Sequence, residues 1–219
     1  MRTTALACAL LFTLTAMCSN AQACSVQRQY RVPNSLELVE QADAIVLARV
    51  IDNGPSTSDT FARMGGHEAR LVPFQTLKGD RPVRAISFPD AVLELPSAKL
   101  HVTPSDPRNL VDANLDSFSG GCNRYAFKKG MIVVAFLKRD GKDFVPFAPP
   151  FSRALEDVPS PNALWVKAVR LYVRIAAKPK SMRRQEMRRL RVRLGYDYYD
   201  SDSRLLALEL DRALKEPKR

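Results

Sequence analysis

Cys24 and Cys122 are the residues whose types and placement first offer chemistry. The chain holds four cysteines, but Cys8 and Cys18 fall in what reads as a leader. Arg2 supplies a positive start, Ala5 to Met17 runs without a charge, and Ala21-Gln22-Ala23 is a small-residue site of the kind signal peptidase cuts. The expected signal peptide is therefore 1–23, and the expected mature chain begins at Cys24 and is exported, to the periplasm or beyond. Two thiols in an oxidising compartment most simply form one disulfide. Closing a loop of about a hundred residues would restrict the unfolded chain by about 4–5 kcal/mol in the chain-entropy model. Two other states stay open: a pair of free buried thiols, and a thioether lipid on Cys24, for which Ala21 and Gln22 match the lipoprotein signal poorly. Lipid attachment consumes the sulfur, so it excludes the disulfide. Neither cysteine has CxxC spacing or a metal-ligating neighbour, which argues against zinc and thioredoxin-like chemistry.

Other reactive side chains are sparse. The only histidines, His67 and His101, sit in polar, loop-like stretches. No nucleophile elbow, HExxH or P-loop occurs. Asp197, Asp200 and Asp202 hint at calcium, but the sixth position of an EF-hand loop counted from Asp197 is Asp202, and from Asp200 it is Leu205, where a glycine is needed. A helix cap beside a solvated turn suits these aspartates better. The expectation is a non-catalytic protein with no cofactor and no metal of its own.

The charge is uneven. The 219 residues carry 34 Lys and Arg against 23 Asp and Glu, a formal charge of +11. Nearly all of the excess lies between Lys167 and Arg193, where Lys167, Arg170, Arg174, Arg183, Arg184, Arg188 and Arg189 are candidates for an anionic surface such as a membrane or an envelope polymer. Trp165, Tyr172 and Tyr196 lie nearby and could stack. The plainer alternative is an amphipathic helix pair packed on the preceding domain with its charges in solvent. Nucleic acid is the less natural partner of an exported chain.

The elements that must position these residues fall into two parts. Before the Pro-rich stretch Pro146 to Pro161 the pattern is mainly β. Ser35 to Gln41 reads as a short helix capped by Asn34 or Ser35. Strands are expected over Ala44–Ile51, Arg70–Leu77, Val83–Phe88, Met131–Leu137 and Asp143–Phe147, with a hairpin turn at Arg139 to Lys142. Pro73 implies a sheet edge or a bulge. Asp90 to Gly121 has little periodicity and reads as a long, partly ordered insertion. After the junction, helices are expected over Ala163–Lys178, from a Ser181 cap to Leu194, and from Asp202 or Ser203 to Leu214. The expected organisation is a β domain over 24–152 and a basic helical extension over 153–219.

Several short motifs occur in a telling order. The mature chain would begin with cysteine; Gln41-Ala-Asp-Ala-Ile-Val46 leads into a strand; Phe74-Gln-Thr-Leu-Lys-Gly79 ends the next; Gly120-Gly-Cys-Asn123 is followed by Phe127, Gly130 and an apolar strand. This order resembles the netrin-like (NTR) domain, especially small exported proteins similar to tissue inhibitors of metalloproteinases (TIMP-like). It covers about Cys24 to Phe147. The resemblance implies a five-stranded OB-like barrel, a Cys24–Cys122 disulfide pinning the new N-terminus, and a protein partner, such as a zinc metalloprotease, met by the ridge Cys24, Ser25 and Val26. It implies that the α-amine and carbonyl of Cys24 chelate the target's zinc and that Ser25 enters a specificity pocket; an α-amine titrates near pH ~8 and is partly neutral at physiological pH. The family's second cysteine is replaced here by Val26, and the glycine after its later cysteine by Asn123, so one staple of the ridge is missing.

Overall fold

A computed structural model describes residues 26–63, 65–94, 101–119 and 121–215. Cys24 and Ser25 thus lie outside the described residues, as does the whole leader. In chain order the elements are α1 (Ser35–Gln41), β1 (Ala44–Pro55), α2 (Asp59–Arg63), β2 (His67–Lys78), β3 (Ile86–Leu93), a 3-10 turn (Leu115–Phe118), β4 (Ala126–Phe127), β5 (Ile132–Asp140), β6 (Asp143–Pro146), β7 (Leu155–Val158), α3 (Leu164–Ala176), α4 (Lys180–Gly195) and α5 (Ser201–Lys215).

The strands form one seven-stranded sheet in the order β4-β3-β2-β1-β5-β6, with β7 also paired to β5. Every pairing is antiparallel except the short parallel β3–β4 contact. Among the described residues the hydrogen-bonded ladder stays open: mainly β holds, in a sheet with more strands than the expected five-stranded OB-like barrel, combined with helices. β1 lies at the centre, between β2 and β5, and alternation splits its side chains between two cores. Ile45 and Leu47 join Val134, Phe136, Trp165, Val169 and Tyr172 under the helices. Ala44, Val46, Ala48 and Val50 join Leu71, Ile86, Leu93, Phe127 and Leu137 in a core built from strands and the segment around Phe127. The helices therefore pack on the sheet itself. β7 falls beyond the expected boundary at residue 152 and extends the sheet along β5.

Local chemistry explains most boundaries. Asn34 caps α1 through a capping box: its side chain accepts from the Glu37 backbone, and Glu37 returns a carboxylate to the Asn34 N–H. At the other end of α1, the Lys78 ammonium donates to the carbonyls of Val39 and Ala42, and burial pushes its pKa down. Gly79 has φ +69°, and a Cβ there would lie 2.2 Å from the Asp43 carbonyl oxygen. The Gln41-to-Val46 and Phe74-to-Gly79 motifs are thus two sides of one contact. Pro73 sits opposite Ala48 beside a register shift, past Leu71, where the β3 ladder has ended, so its missing N–H costs nothing. The third strand begins at Ile86; Val83 is fully exposed. α4 starts from Pro179 with no side-chain cap, and Ser181 lies inside the helix.

Candidate partner-binding surface around Cys122

Cys122 is 2% exposed and disulfide-bonded, and its partner lies outside the described residues. Its backbone holds φ +57°, as does that of Phe151, a region that residues with a Cβ seldom adopt. The two strained residues are joined, since the Phe151 N–H donates to the Cys122 carbonyl at 2.6 Å. The Tyr30 hydroxyl donates to the Pro150 carbonyl at 2.7 Å, which lays the N-terminal segment against the same loop. Of the expected ridge, only Val26 is described, and it is partly exposed.

Beside this junction opens a cleft of about 440 Å³, whose lining includes Arg31, Val32, Asn34, Val111, Phe151 and Arg153. An apolar lip adjoins it through Phe151. Phe118 stacks on Phe151 with ring centroids 5.3 Å apart, yet remains 56% exposed, and Leu115 is 71% exposed. They stand three residues apart on a 3-10 turn, so they share a face. Asn114 caps that turn by accepting from the Asp116 N–H at 2.9 Å.

The segment expected to be a partly ordered insertion is irregular but anchored. β3 runs on to Leu93, and Val102, Leu110 and Ala113 are buried. Buried charges replace the missing ladder. Arg124, fully enclosed, pairs with Asp157, and also donates to the Ser105 hydroxyl at 3.2 Å and the Thr103 carbonyl at 3.3 Å. Asp157 also accepts from the Ser105 N–H at 2.8 Å. Asn114 donates its N–H to Glu156 at 2.9 Å. Arg153 pairs with Glu156 at 3.7 Å, donates to the Asn109 carbonyl, and lies 4.2 Å over the ring of Trp165. Burial pulls the Arg153 pKa down, and Glu156 and Glu209 oppose that pull. Glu209 in turn accepts from Tyr172 at 3.0 Å and Ser35 at 3.2 Å. One polar network therefore ties the insertion to β7, α1, α3 and α5.

The other expected residues are scattered. His67 meets Asp52 at 2.8 Å across the β1–β2 turn, and His101 is exposed elsewhere. Among the described residues no group of three His, Cys, Asp or Glu side chains could hold a metal. Asp200 accepts from the Asp202 N–H and from Ser203, capping α5, and Asp202 pairs with Lys167 at 2.7 Å. The basic candidates differ in their partners. Lys167, Arg183 and Arg189 pair with Asp202, Glu40 and Glu186. Arg184 donates to the Leu214 carbonyl at the end of α5. Among the described residues Arg170, Arg174 and Arg188 have no carboxylate within salt-bridge distance. Trp165 and Tyr172 are core residues, which leaves Tyr196 alone of the expected stacking set at the surface. Sequence reasoning missed Arg124, Arg153, Glu156 and Asp157, because isolated charges in a chain this rich in them carry no periodic signal. Comparison with known proteins adds nothing to the geometry: no family model matches, and no similar curated protein or solved structure is found.

Proposed function

We propose that this protein is an exported binding module, not an enzyme, and that it captures a protein partner with the surface around Cys122. The observation that carries this reading is the exposed pair Leu115 and Phe118, held on a loop that buried ion pairs fix in place. An apolar lip on a rigid backbone loses little entropy on docking. In this reading Cys24 is the partner of Cys122, the mature N-terminus is tied beside the lip, and Cys24, Ser25 and Val26 form the rest of the contact. A zinc metalloprotease is the partner class that the NTR resemblance supplies, with the Cys24 amine and carbonyl as the zinc-binding pair. The sheet gives this reading partial support: β3 and β6 lie near each other around a strand-built core, in the sense of an OB-like curl.

The test compares three forms of the exported chain in an assay of a zinc endopeptidase with a quenched fluorescent peptide. The chain starting at Cys24 should inhibit. A chain with one alanine added before Cys24 should not. L115D/F118D should bind at least about a hundredfold more weakly, since each buried apolar side chain contributes about 1.5–3 kcal/mol. Equal inhibition by all three forms would refute the proposal.

A further inference from the structure

The hairpin of α4 and α5 presents a second surface, whose groove shares no lining residue with the cleft beside Cys122 and which is independent of the reading given to it. Its inner side is spent on packing: Met187 and Leu190 are buried, and Arg184 holds the end of α5. Its outer side is not. Arg188, Val192 and Tyr196 follow one another at four-residue spacing along α4, and Arg204 and Leu208 do so along α5, so each set shares a face. Val192 and Leu208 are large apolar side chains left in solvent. Together with Tyr196, Ala207, Arg204 and the Arg191–Asp211 ion pair at 3.2 Å they line a shallow groove of about 520 Å³. At the tip of the hairpin, Tyr196, Tyr198 and Tyr199 are 83%, 77% and 100% exposed.

Arginines dominate the unpaired charge on this face. Arg188, Arg193 and Arg204 have no carboxylate within salt-bridge distance among the described residues. The neighbouring acids are engaged: Asp200 caps α5, Asp202 holds Lys167, and Asp211 holds Arg191 and Lys215. Asp197 alone opposes the arginines without a side-chain partner among the described residues.

We infer that this face docks peripherally on an anionic lipid bilayer. Tyrosine favours the headgroup level, where its ring is half wetted. An aliphatic pair set between arginines suits the boundary of headgroups and acyl chains, with the guanidinium groups on lipid phosphates. The tyrosines and arginines alone would also suit nucleic acid, but the exposed aliphatic pair Val192 and Leu208 favours a bilayer. No helix among the described residues is long and apolar enough to cross a membrane, which agrees with a contact made from one side.

The experiment is co-sedimentation of the mature chain with phosphatidylcholine vesicles, with and without a quarter of phosphatidylglycerol. Binding is expected only to the anionic vesicles, and raised salt should weaken it. R188A/R204A should bind about thirtyfold more weakly, since each arginine near such a surface contributes about fivefold. Y198S/Y199S and V192S/L208S should each lower binding several-fold at unchanged salt dependence, with circular dichroism confirming the fold. Equal binding to both vesicle types would overturn the inference. So would anionic binding that all three variants leave intact, or binding that depends on the arginines alone and is matched by duplex DNA or polyglutamate. Adding a residue before Cys24 should leave vesicle binding unchanged, which keeps this test separate from that of the Cys122 surface.

Discussion

Replacing Arg124 by methionine should release the loop that carries Leu115 and Phe118. Methionine keeps an unbranched stem over the Phe127 ring, which the guanidinium now covers at 5.0 Å, and removes only the charge and the donors. Asp157 would keep the Ser105 N–H and lose its cation. Removing one member of a buried ion pair costs about 3–5 kcal/mol, because the other charge is left uncompensated. The side chain of Asp157 is 14% exposed, so some water can reach it, and the lower end, about 3 kcal/mol, is expected. For a chain of this size that lowers Tm by about 6–12 °C. Urea melts followed by circular dichroism read the stability, and limited proteolysis reads the loop, with new cleavage expected within 101–119. R124M/D157L should recover most of the loss, since a well-packed apolar pair can replace a buried ion pair. The same single variant should weaken partner capture, although Leu115 and Phe118 are unchanged. A cost below about 1 kcal/mol, or a double variant no more stable than R124M, would refute the claim that this pair anchors the loop.

Three further outcomes follow from local geometry. Gly79→Ala should destabilise by about 2–5 kcal/mol, because a left-handed backbone is joined to a clash with the Asp43 carbonyl; Gly141→Ala, at φ +59° in open space, should cost only about 1 kcal/mol, and denaturant melts of the two separate strain from overlap. Lys78→Met should cost about 1.5–3 kcal/mol by stripping a charged donor from the end of α1, read as a lowered urea midpoint. Asp52 is held below the usual carboxylate range by the Gly54 N–H and His67, and Glu68 by the Thr57 side chain and backbone and by Asn53. Folded values below unfolded ones mean stability that is present above about pH 4 and lost as pH falls through the folded values; D52N/E68Q should flatten that acid loss, and parallel pH curves for variant and parent would contradict it.

Elements set by local pattern could be read from the sequence. The Asn34 cap, the apolar run from Ala44, the Gly141 turn and the three late helices all occur within a residue or a few of expectation. What could not be read depends on residues far apart in sequence. Nothing near Arg124 announces Asp157, and nothing near Glu209 announces Ser35. The stretch around Asn114 lacks a period because its hydrogen bonds run to side chains of other segments and not to a neighbouring strand. The basic run misled in a related way. Composition counts charges, while the fold spends Lys167, Arg183 and Arg189 on ion pairs and leaves Arg188, Arg193 and Arg204 to solvent. The exposed tyrosines at 198 and 199 are not legible in the sequence because a turn between helices gives an aromatic no periodic context.

The central position of β1 also sets an order of assembly. β2 follows β1 directly in the chain and can pair with it at once, but Ala44 waits for Leu137 and Arg49 for Ile132. Until β5 is synthesised, one edge of an apolar strand stays open, and such an edge recruits other chains. Fragments ending before β5 should therefore aggregate, and the whole chain should fold on the slow scale, milliseconds to seconds, that non-local pairing imposes. If the chain is exported as proposed, that delay is an advantage, because its centre cannot close until most of its length has crossed the membrane.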